Sequence, residues 1–591
     1  MEPLLTRRKR AHSAKRQTGL REAREQTGFA AHRHRNIILS VIATVVLQSL
    51  IFAPIGWWPL SFVCLVPWLV MIGTAPSAKR VYAYSFLMAL VFFLINMRWL
   101  YHATGWGYAA LSFYQALYFP LVACPVRHAI RRRRFPLAVV LPFVWTGSEM
   151  VRAVAISGFP WFFLSHANAS VLMLIQVSDL VGAYGVSFLV AAANGAIADM
   201  VMALVARRRG TDAAARVRSA RIGAATVLVL FAAAIAYGRV RLEGGTMSQG
   251  PKIAVFQGDF LNVADPDDEA SRIGEPAKME LYLAAMDSAR AERPDLYLLP
   301  ETPWTMRLNR EAILDPLSRA SYRALMDRAE AWQSYVVTGS HSRVYTPTDL
   351  RAKEKGYNSA TVFYPTGSVP GRYDKIHLVY FGETVPFRFG RLRFLYLWLN
   401  RMMPFSGPDG DYEYSIFRGD EFRVFEMESA ALGGKRFHFG IPICYEDVMP
   451  YVSRRFARGV EGQKRADLLL NISNDGWFGH SVQQAQHLAI CVFRAVENRV
   501  GIARAVNTGI SGFIDPTGRT HGLIRHDPSA TAPDVRYSIA HLAVDSQVTY
   551  YTMYGDWFGW ACAVLWLLCY IDYLCVRALS RRNIDAKEGV E

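Results

Sequence analysis

Long apolar runs, each followed by a short connection, dominate the two ends of this chain and constrain its fold more than any other feature. About 20 apolar residues in a helix cross the hydrocarbon core of a bilayer, and only helices or closed barrels satisfy their backbone there. The runs predict spans at 37–55, 58–74, 82–100, 107–126, 136–156, 174–205, 221–239 and 556–576. Only Gly56 and Trp57 separate the first two, which predicts a tight hairpin. The stretch 174–205 is too long for one straight span and is expected to extend out of the bilayer.

The connections carry a second signal. Residues 1–36 hold ten Lys and Arg; the later basic connections hold Lys79 and Arg80, then Arg127 and Arg131–Arg134. Arg207–Arg209, Arg216, Arg218 and Arg221 follow, and finally Arg577, Arg581, Arg582 and Lys587. The connections between these are nearly free of both residue types. With basic loops on the cytoplasmic side, both termini are cytoplasmic and the block 240–553 lies on the opposite face. The same placement accounts for the net charge of +17 and argues against nucleic-acid binding. A long basic region precedes the first run and no small-residue cleavage site follows it, so the N-terminus reads as an uncleaved anchor held near anionic lipid. The expected division is a basic extension 1–36, seven spans in 37–239, an extramembrane domain 240–553, and the last span with a tail in 554–591.

Within the spans, Glu149 and Arg152 lie three residues apart on one helical face, either paired with each other or facing a polar cavity. Gly158-Phe159-Pro160-Trp161 follows them, and an aromatic–proline turn there reads as an interface anchor.

From residue 252 the pattern becomes short β-rich runs separated by polar helical stretches. Strands are predicted at Ile253–Phe256, Leu296–Leu299, Tyr335–Thr338, Thr361–Tyr364, His438–Ile443 and Leu468–Ile472, with a hairpin across Ile502–Ala505 and Gly512–Ile514. Helices are predicted at Pro276–Glu292 and Arg319–Gln333. The alternation predicts a layered α/β domain with buried strands. Of seven Cys, only Cys444 and Cys491 lie in this block, and neither spacing nor clustering indicates a metal, a cofactor or a disulfide framework.

Three segments carry chemistry. In Leu298-Leu299-Pro300-Glu301 an apolar strand ends and a carboxylate follows at once; Glu301 is either a partly desolvated general acid or base or an ordinary surface carboxylate. In Tyr373-Asp374-Lys375-Ile376-His377-Leu378-Val379-Tyr380-Phe381-Gly382-Glu383, Lys375 is either a solvated charge or an oxyanion donor held among aromatics. His377, with no second His at metal-binding spacing, reads as structural. In Gly440-Ile441-Pro442-Ile443-Cys444-Tyr445-Glu446-Asp447 a strand runs into Cys444 and a helical stretch begins. The thiol there is either inert and buried or a nucleophile whose pKa the helix N-terminus and a nearby Lys lower.

The order Glu301, Lys375, Cys444 resembles the nitrilase superfamily, and Asn471–Gly479, Arg494–Arg499 and Asn507–Gly512 strengthen the likeness. The whole chain looks like the apolipoprotein N-acyltransferase family. Its membrane segments Gly158–Trp161 and Gly182–Phe188, and the segments Leu378–Glu383 and Cys444–Glu446, carry that resemblance. It implies a polytopic α-helical bundle of about eight transmembrane helices, with a nitrilase-like α-β-β-α sandwich inserted before the last one. It also implies a bacterial inner-membrane enzyme acting without a cofactor, as a monomer, by a ping-pong reaction.

Cys444 would be the nucleophile, Glu301 the general base and Lys375 the oxyanion stabiliser; Glu383, Tyr445 and Glu446 would support them and shape the acyl pocket. The donor would be a phospholipid, typically phosphatidylethanolamine, and the acceptor the α-amine of a diacylglyceryl-cysteine at a lipoprotein N-terminus. The stretch 391–405, with Phe394, Trp398 and Met402, reads as a lid admitting lipid, or as an ordinary surface helix. Two departures bear on substrate detail: Tyr380 stands where the family usually has Pro, and Asp265-Pro266-Asp267-Asp268 occupies a loop where a Trp is expected. The alternative chemistry is a membrane-tethered nitrilase-type amidohydrolase, in which water resolves the thioester.

Overall fold

The computed structural model describes residues 34–133, 135–208, 213–261, 273–309, 315–345, 354–402, 413–460, 462–529 and 534–588. Among them, six helices are long and apolar enough to cross a membrane: Ala78–Asn96, Trp106–Arg133, Leu137–Ser157, Ala183–Arg208, Val217–Glu243 and Trp557–Leu579. Two shorter apolar helices, His34–Leu50 and Trp58–Thr74, precede them. The tight hairpin between these two is present, with Trp57 N–H donating to the Leu50 carbonyl at 2.9 Å. The loop 265–268 lies outside the described residues.

Small residues let the helices approach. A Cβ on Gly147 would meet the Cys562 carbonyl oxygen at 2.6 Å, so Leu137–Ser157 packs backbone to backbone on the final helix. The second apolar segment is broken between Phe62 and Val66, and side chains satisfy the break. Asn194 accepts from Leu65 N–H at 2.8 Å and donates to the Ser61 carbonyl at 2.7 Å. Irregular backbone inside such a bundle requires partners of this kind.

Three expectations for this half are corrected. The stretch 174–205 is not one extended helix: it breaks at Gly182, whose φ of 69° is left-handed, and only Ala183–Arg208 continues as a long helix. Glu149 and Arg152 do not pair with each other; each has other partners. Glu149 accepts from Trp145 Nε1 and Leu164 N–H, while Arg152 donates to Gln115 and to the Trp161 carbonyl. Both hold the irregular segment 158–164. Finally, Trp161 is no interface anchor. It is buried, stacked on Phe159, and donates from Nε1 to Gln486 of the β-rich domain, because the helix Gln483–Asn498 covers it.

The β-rich domain between the last two long apolar helices contains two six-stranded sheets. Their strands are β1 (Met247–Gln257), β2 (Leu296–Leu298), β3 (Tyr335–Tyr345), β4 (Glu354–Phe363), β5 (Gly371–Asp374), β6 (Val424–Ser429), β7 (Lys435–Gly440), β8 (Leu468–Asn474), β9 (Gly501–Asn507), β10 (Ser511–Ile514), β11 (Thr520–Ile524) and β12 (Arg536–Asp545). The first sheet runs β12-β1-β2-β3-β4-β5 and the second β11-β10-β9-β8-β7-β6. In each sheet the parallel strands are central, β1-β2-β3 and β7-β8-β9.

Strand periodicity builds the layers. In β1, Ile253 and Val255 point into a core shared with Phe439 and Ile472 of the other sheet. Ala254 and Phe256 point outward under Tyr282, Met286 and Leu325. Helices Glu275–Ala289 and Pro316–Trp332 cover this outer face. Helices Pro450–Ala457 and Gln483–Asn498 lie against the second sheet, which completes the α-β-β-α sandwich. Burial on both faces explains the near-continuous apolar runs of the central strands.

The domain is bound to the helices by specific contacts. Glu497 accepts from Ala183 N–H at 2.9 Å, Gln176 donates to the Thr517 carbonyl at 2.9 Å, and Trp99 packs edge-on against Phe478.

Candidate active site

Three strand ends converge where the two sheets meet. β2 ends at Leu298 and Leu299-Pro300 lead to Glu301 on the following turn, β5 ends one residue before Lys375, and the segment after β7 ends at Cys444. Glu301 and Lys375 therefore come from one sheet and Cys444 from the other. The Glu301 carboxylate stands close enough to the Cys444 sulfur to push the thiol upward, and Lys375 acts on it in the opposite sense. Lys375 Nζ lies 3.9 Å from Glu301 Oε1 and 2.9 Å from Glu383 Oε1. The three predicted positions thus form one cluster, in which Glu301 and Lys375 are buried and Cys444 is part-buried, with Glu383 beside it.

Asn358 on β4, which carries no sequence motif, completes the arrangement. Its amide nitrogen donates to Glu301 Oε1 at 2.7 Å and to Glu383 Oε1 at 2.8 Å. One side chain thereby orients both carboxylates. Glu383 also accepts from Val379 N–H at 2.9 Å, fixing the loop that follows Lys375.

Glu446 ties the lysine segment to the cysteine segment. It accepts from the N–H groups of Ile376, His377 and Ile443 and from the Tyr373 hydroxyl, all within 3.0 Å. Burial nevertheless pushes its carboxyl up to about 7. Tyr445 turns away from this cluster: its hydroxyl donates to the Gly158 carbonyl at 3.1 Å, and its ring lies beside His377. It therefore joins the site to the irregular segment after Leu137–Ser157. His377 is structural, bonded to Tyr451 at 2.8 Å, with burial and then Lys375 holding it down to about 4, so it is neutral.

The electrostatics assign protons. Burial opposes the Lys375 charge, but Glu383, the Cys444 sulfur and Glu301 outweigh it and hold the ammonium above its ordinary value. Burial pushes Glu301 above the ordinary carboxylate value, and Lys375 opposes this. The expected lowering of the thiol is overturned. Burial and then the adjacent Glu301 carboxylate push Cys444 well above its ordinary value, outweighing Lys375. The segment that follows is also only a four-residue 3-10 turn, Cys444–Asp447, too short to supply a full helix dipole. The elbow itself is present, with Cys444 at a left-handed φ of 51°. Such backbone strain persists where surrounding contacts over-determine it.

Behind the elbow lies a buried ionic network that the sequence did not reveal as a unit. His487 contacts Asp447 at 2.7 Å and Asp475 at 3.0 Å, and Arg504 pairs with Asp447 and donates to Asn471 at 2.7 Å. Asp447 and Asp475 sit in recognisable segments, but nothing in the spacing placed His487 between them.

Phe394, Trp398 and Met402 stand on the helix Arg393–Arg401 and its end, each at least 60% exposed, while Tyr396 and Asn400 are buried beneath. This helix turns its apolar face outward. Met403 and Phe405 lie outside the described residues.

Residues 45–196 match the family described as apolipoprotein N-acyltransferase N-terminal domain, and 270–532 match carbon–nitrogen hydrolase. The apolipoprotein N-acyltransferase of Geobacter metallireducens is 31% identical over 90% of this chain and 94% of its own. The chain belongs to the apolipoprotein N-acyltransferase family. The Chlorobaculum tepidum apolipoprotein N-acyltransferase is 28% identical over 84% of this chain and 88% of its own. Among solved structures, Saccharomyces cerevisiae Nit3, a member of branch 10 of the nitrilase superfamily, matches 50% of this chain and 92% of that one at 18% identity, with a TM-score of 0.33. As an apolipoprotein N-acyltransferase, the chain is a membrane enzyme that performs acyl transfer in lipoprotein maturation. Its nitrilase-like domain contains Glu301, Lys375 and Cys444 within the carbon–nitrogen hydrolase match.

Proposed function

We propose that Cys444, Glu301 and Lys375 carry the acyl transfer through a thioester on Cys444. The observation that supports this most strongly is the meeting of three strand ends, which sets the Glu301 carboxylate 3.9 Å from the buried Lys375 ammonium with both acting on the Cys444 sulfur. Because the thiol is neutral at rest, nucleophile and base act together. Glu301 takes the thiol proton as the sulfur attacks the ester carbonyl of a phospholipid, and Lys375 faces the oxyanion that develops. The carbonyl re-forms, the lysophospholipid leaves with the proton from Glu301, and an acyl thioester remains. The α-amine of a diacylglyceryl-cysteine then attacks, gives its proton to Glu301, and releases the thiol of Cys444. The product is an amide-linked third acyl chain.

In this reading the donor is phosphatidylethanolamine and the enzyme acts as a monomer in the bacterial inner membrane. Both termini are cytoplasmic, and the 240–553 domain is periplasmic. Glu383 orients Lys375, Glu446 holds the two catalytic segments together, and Tyr445 links the elbow to the helices. The outward face of Phe394, Trp398 and Met402 meets the bilayer surface and admits acyl chains; an apolar face turned to water would otherwise be costly.

The test is a trapping experiment in detergent with phosphatidylethanolamine labelled in its acyl chain, read by intact mass and peptide mapping. A labelled thioester on Cys444, absent in Cys444→Ala and discharged by a diacylated lipopeptide, is the expected result. No adduct, together with hydrolysis of small amides, would establish the hydrolase instead.

A further inference from the structure

Asp259, His480 and His526 are brought together by three separate loops. Asp259 lies two residues beyond the end of β1, His480 two residues beyond the 3-10 turn Asp475–Phe478, and His526 two residues beyond the end of β11. One donor atom from each lies within 4.8 Å of the others. No sequence spacing announces this cluster, because its members are far apart in the chain.

The geometry around Asp259 is that of an incomplete site. Its φ of 55° is left-handed, which aims the carboxylate at both imidazoles. Oδ2 is 2.7 Å from His526 Nδ1, a direct hydrogen bond. Oδ1 is buried without a hydrogen-bond partner and stands 3.7 Å from His480 Nδ1. That separation is long for a hydrogen bond. It is close to the roughly 3.3 Å between two ligands of one tetrahedral ion with bonds of about 2.0–2.1 Å. The two imidazole rings are stacked 3.5 Å apart.

We propose that Asp259, His480 and His526 form a binding site for a late first-row divalent metal ion of the Zn(II) type. Two imidazoles and a carboxylate are the mixed nitrogen–oxygen set such ions prefer, and three protein ligands leave a fourth position for water. The ion cross-links the three loops that carry Asp259, His480 and His526. Phe260, next to Asp259, exchanges hydrogen bonds with Asn507, which in turn donates to Asn474, the residue before Asp475. One charge opposes binding: the Arg536 guanidinium, 3.8 Å from Asp259 Oδ2.

The experiment titrates metal-free, full-length protein in detergent with Co(II), followed by ligand-field absorption, and with Zn(II) in competition. Thermal unfolding is recorded in parallel. Expected are one ion per chain and a higher unfolding temperature with metal. Affinity should weaken by more than about tenfold in His480→Ala and in His526→Ala, and strengthen in Arg536→Gln. Cys444→Ala should bind as the parent does, which excludes the thiol as the ligand. The four variants fold independently of metal if their metal-free unfolding curves match the parent. Absence of saturable binding, or parent affinity retained in both His variants, would overturn the proposal and leave an ordinary Asp–His ion pair.

Discussion

The α-carbon of Glu301 occupies the space in which a side chain on Gly339 would begin: a Cβ built on Gly339 lies 2.6 Å from it. Gly339 N–H also donates to the Pro300 carbonyl at 3.1 Å, so β3 sets the position of the turn that presents the proposed base. Gly339→Ala must push that turn away. A displacement of about 1 Å of a reacting group costs on the order of 100-fold in rate. The expected outcome is that loss in acyl-enzyme formation, with a fall of about 1–3 kcal/mol in stability. Single-turnover acylation and chemical unfolding of the same preparation check both.

Glu446 bonds to donors only, so its two oxygens cannot be exchanged for an amide without conflict. Glu446→Gln turns an NH2 group against N–H donors and leaves at least one buried donor unpaired, at a cost of about 1–3 kcal/mol. Tyr373→Phe removes one donor and costs about 1 kcal/mol. The ranking, Glu446→Gln worse than Tyr373→Phe in both stability and acylation rate, is measured by urea unfolding and thioester trapping. Equal effects would show that the carboxylate does not join the two segments.

These contacts show how far the sequence could be read. Glu301 and Cys444 follow apolar runs that stop at Pro300 and Ile443, whereas Lys375 follows Gly371–Asp374, which carries no apolar run. Their meeting is a property of two sheets packed face to face, which no local pattern encodes. The edge strands β5, β6, β11 and β12 were not read, because they are short or only half-buried and lack the continuous apolar signature of β8 and β9. Asn358 and His487 escaped for another reason. A single amide or imidazole matters only through partners distant in sequence, and the direction of the Cys444 shift depends on burial that a strand-to-helix pattern does not reveal.

His487 makes stability depend on pH. Burial disfavours its charge, yet Asp447 and Asp475 hold it up at about 9, against an ordinary value of 6.5; Arg504 opposes and Cys491 adjoins the same network. A group raised on folding contributes stability that is complete below pH 6.5 and lost as pH rises through 9. That difference corresponds to about 3 kcal/mol. Unfolding free energy should therefore fall between pH 6.5 and 9, and His487→Gln should flatten this part of the curve. An unchanged slope in the variant would place the ionisation elsewhere.

Lys375 lies between two carboxylates that share one amide donor, and this lets its structural and chemical roles be separated. Lys375→Met leaves the buried Glu301 and the part-buried Glu383 bridged by Asn358 and without a counter-charge. Removing one partner from a buried ionic group costs about 3–5 kcal/mol. Adding Glu383→Gln removes the unpaired charge nearest the ammonium, so the double variant should recover much of the lost stability. It should not recover acyl transfer, because no cation faces the developing oxyanion. Thermal unfolding and labelled-lipid trapping on parent, single and double variants decide the matter. Recovery of both stability and acylation would mean that Lys375 serves only to neutralise Glu383.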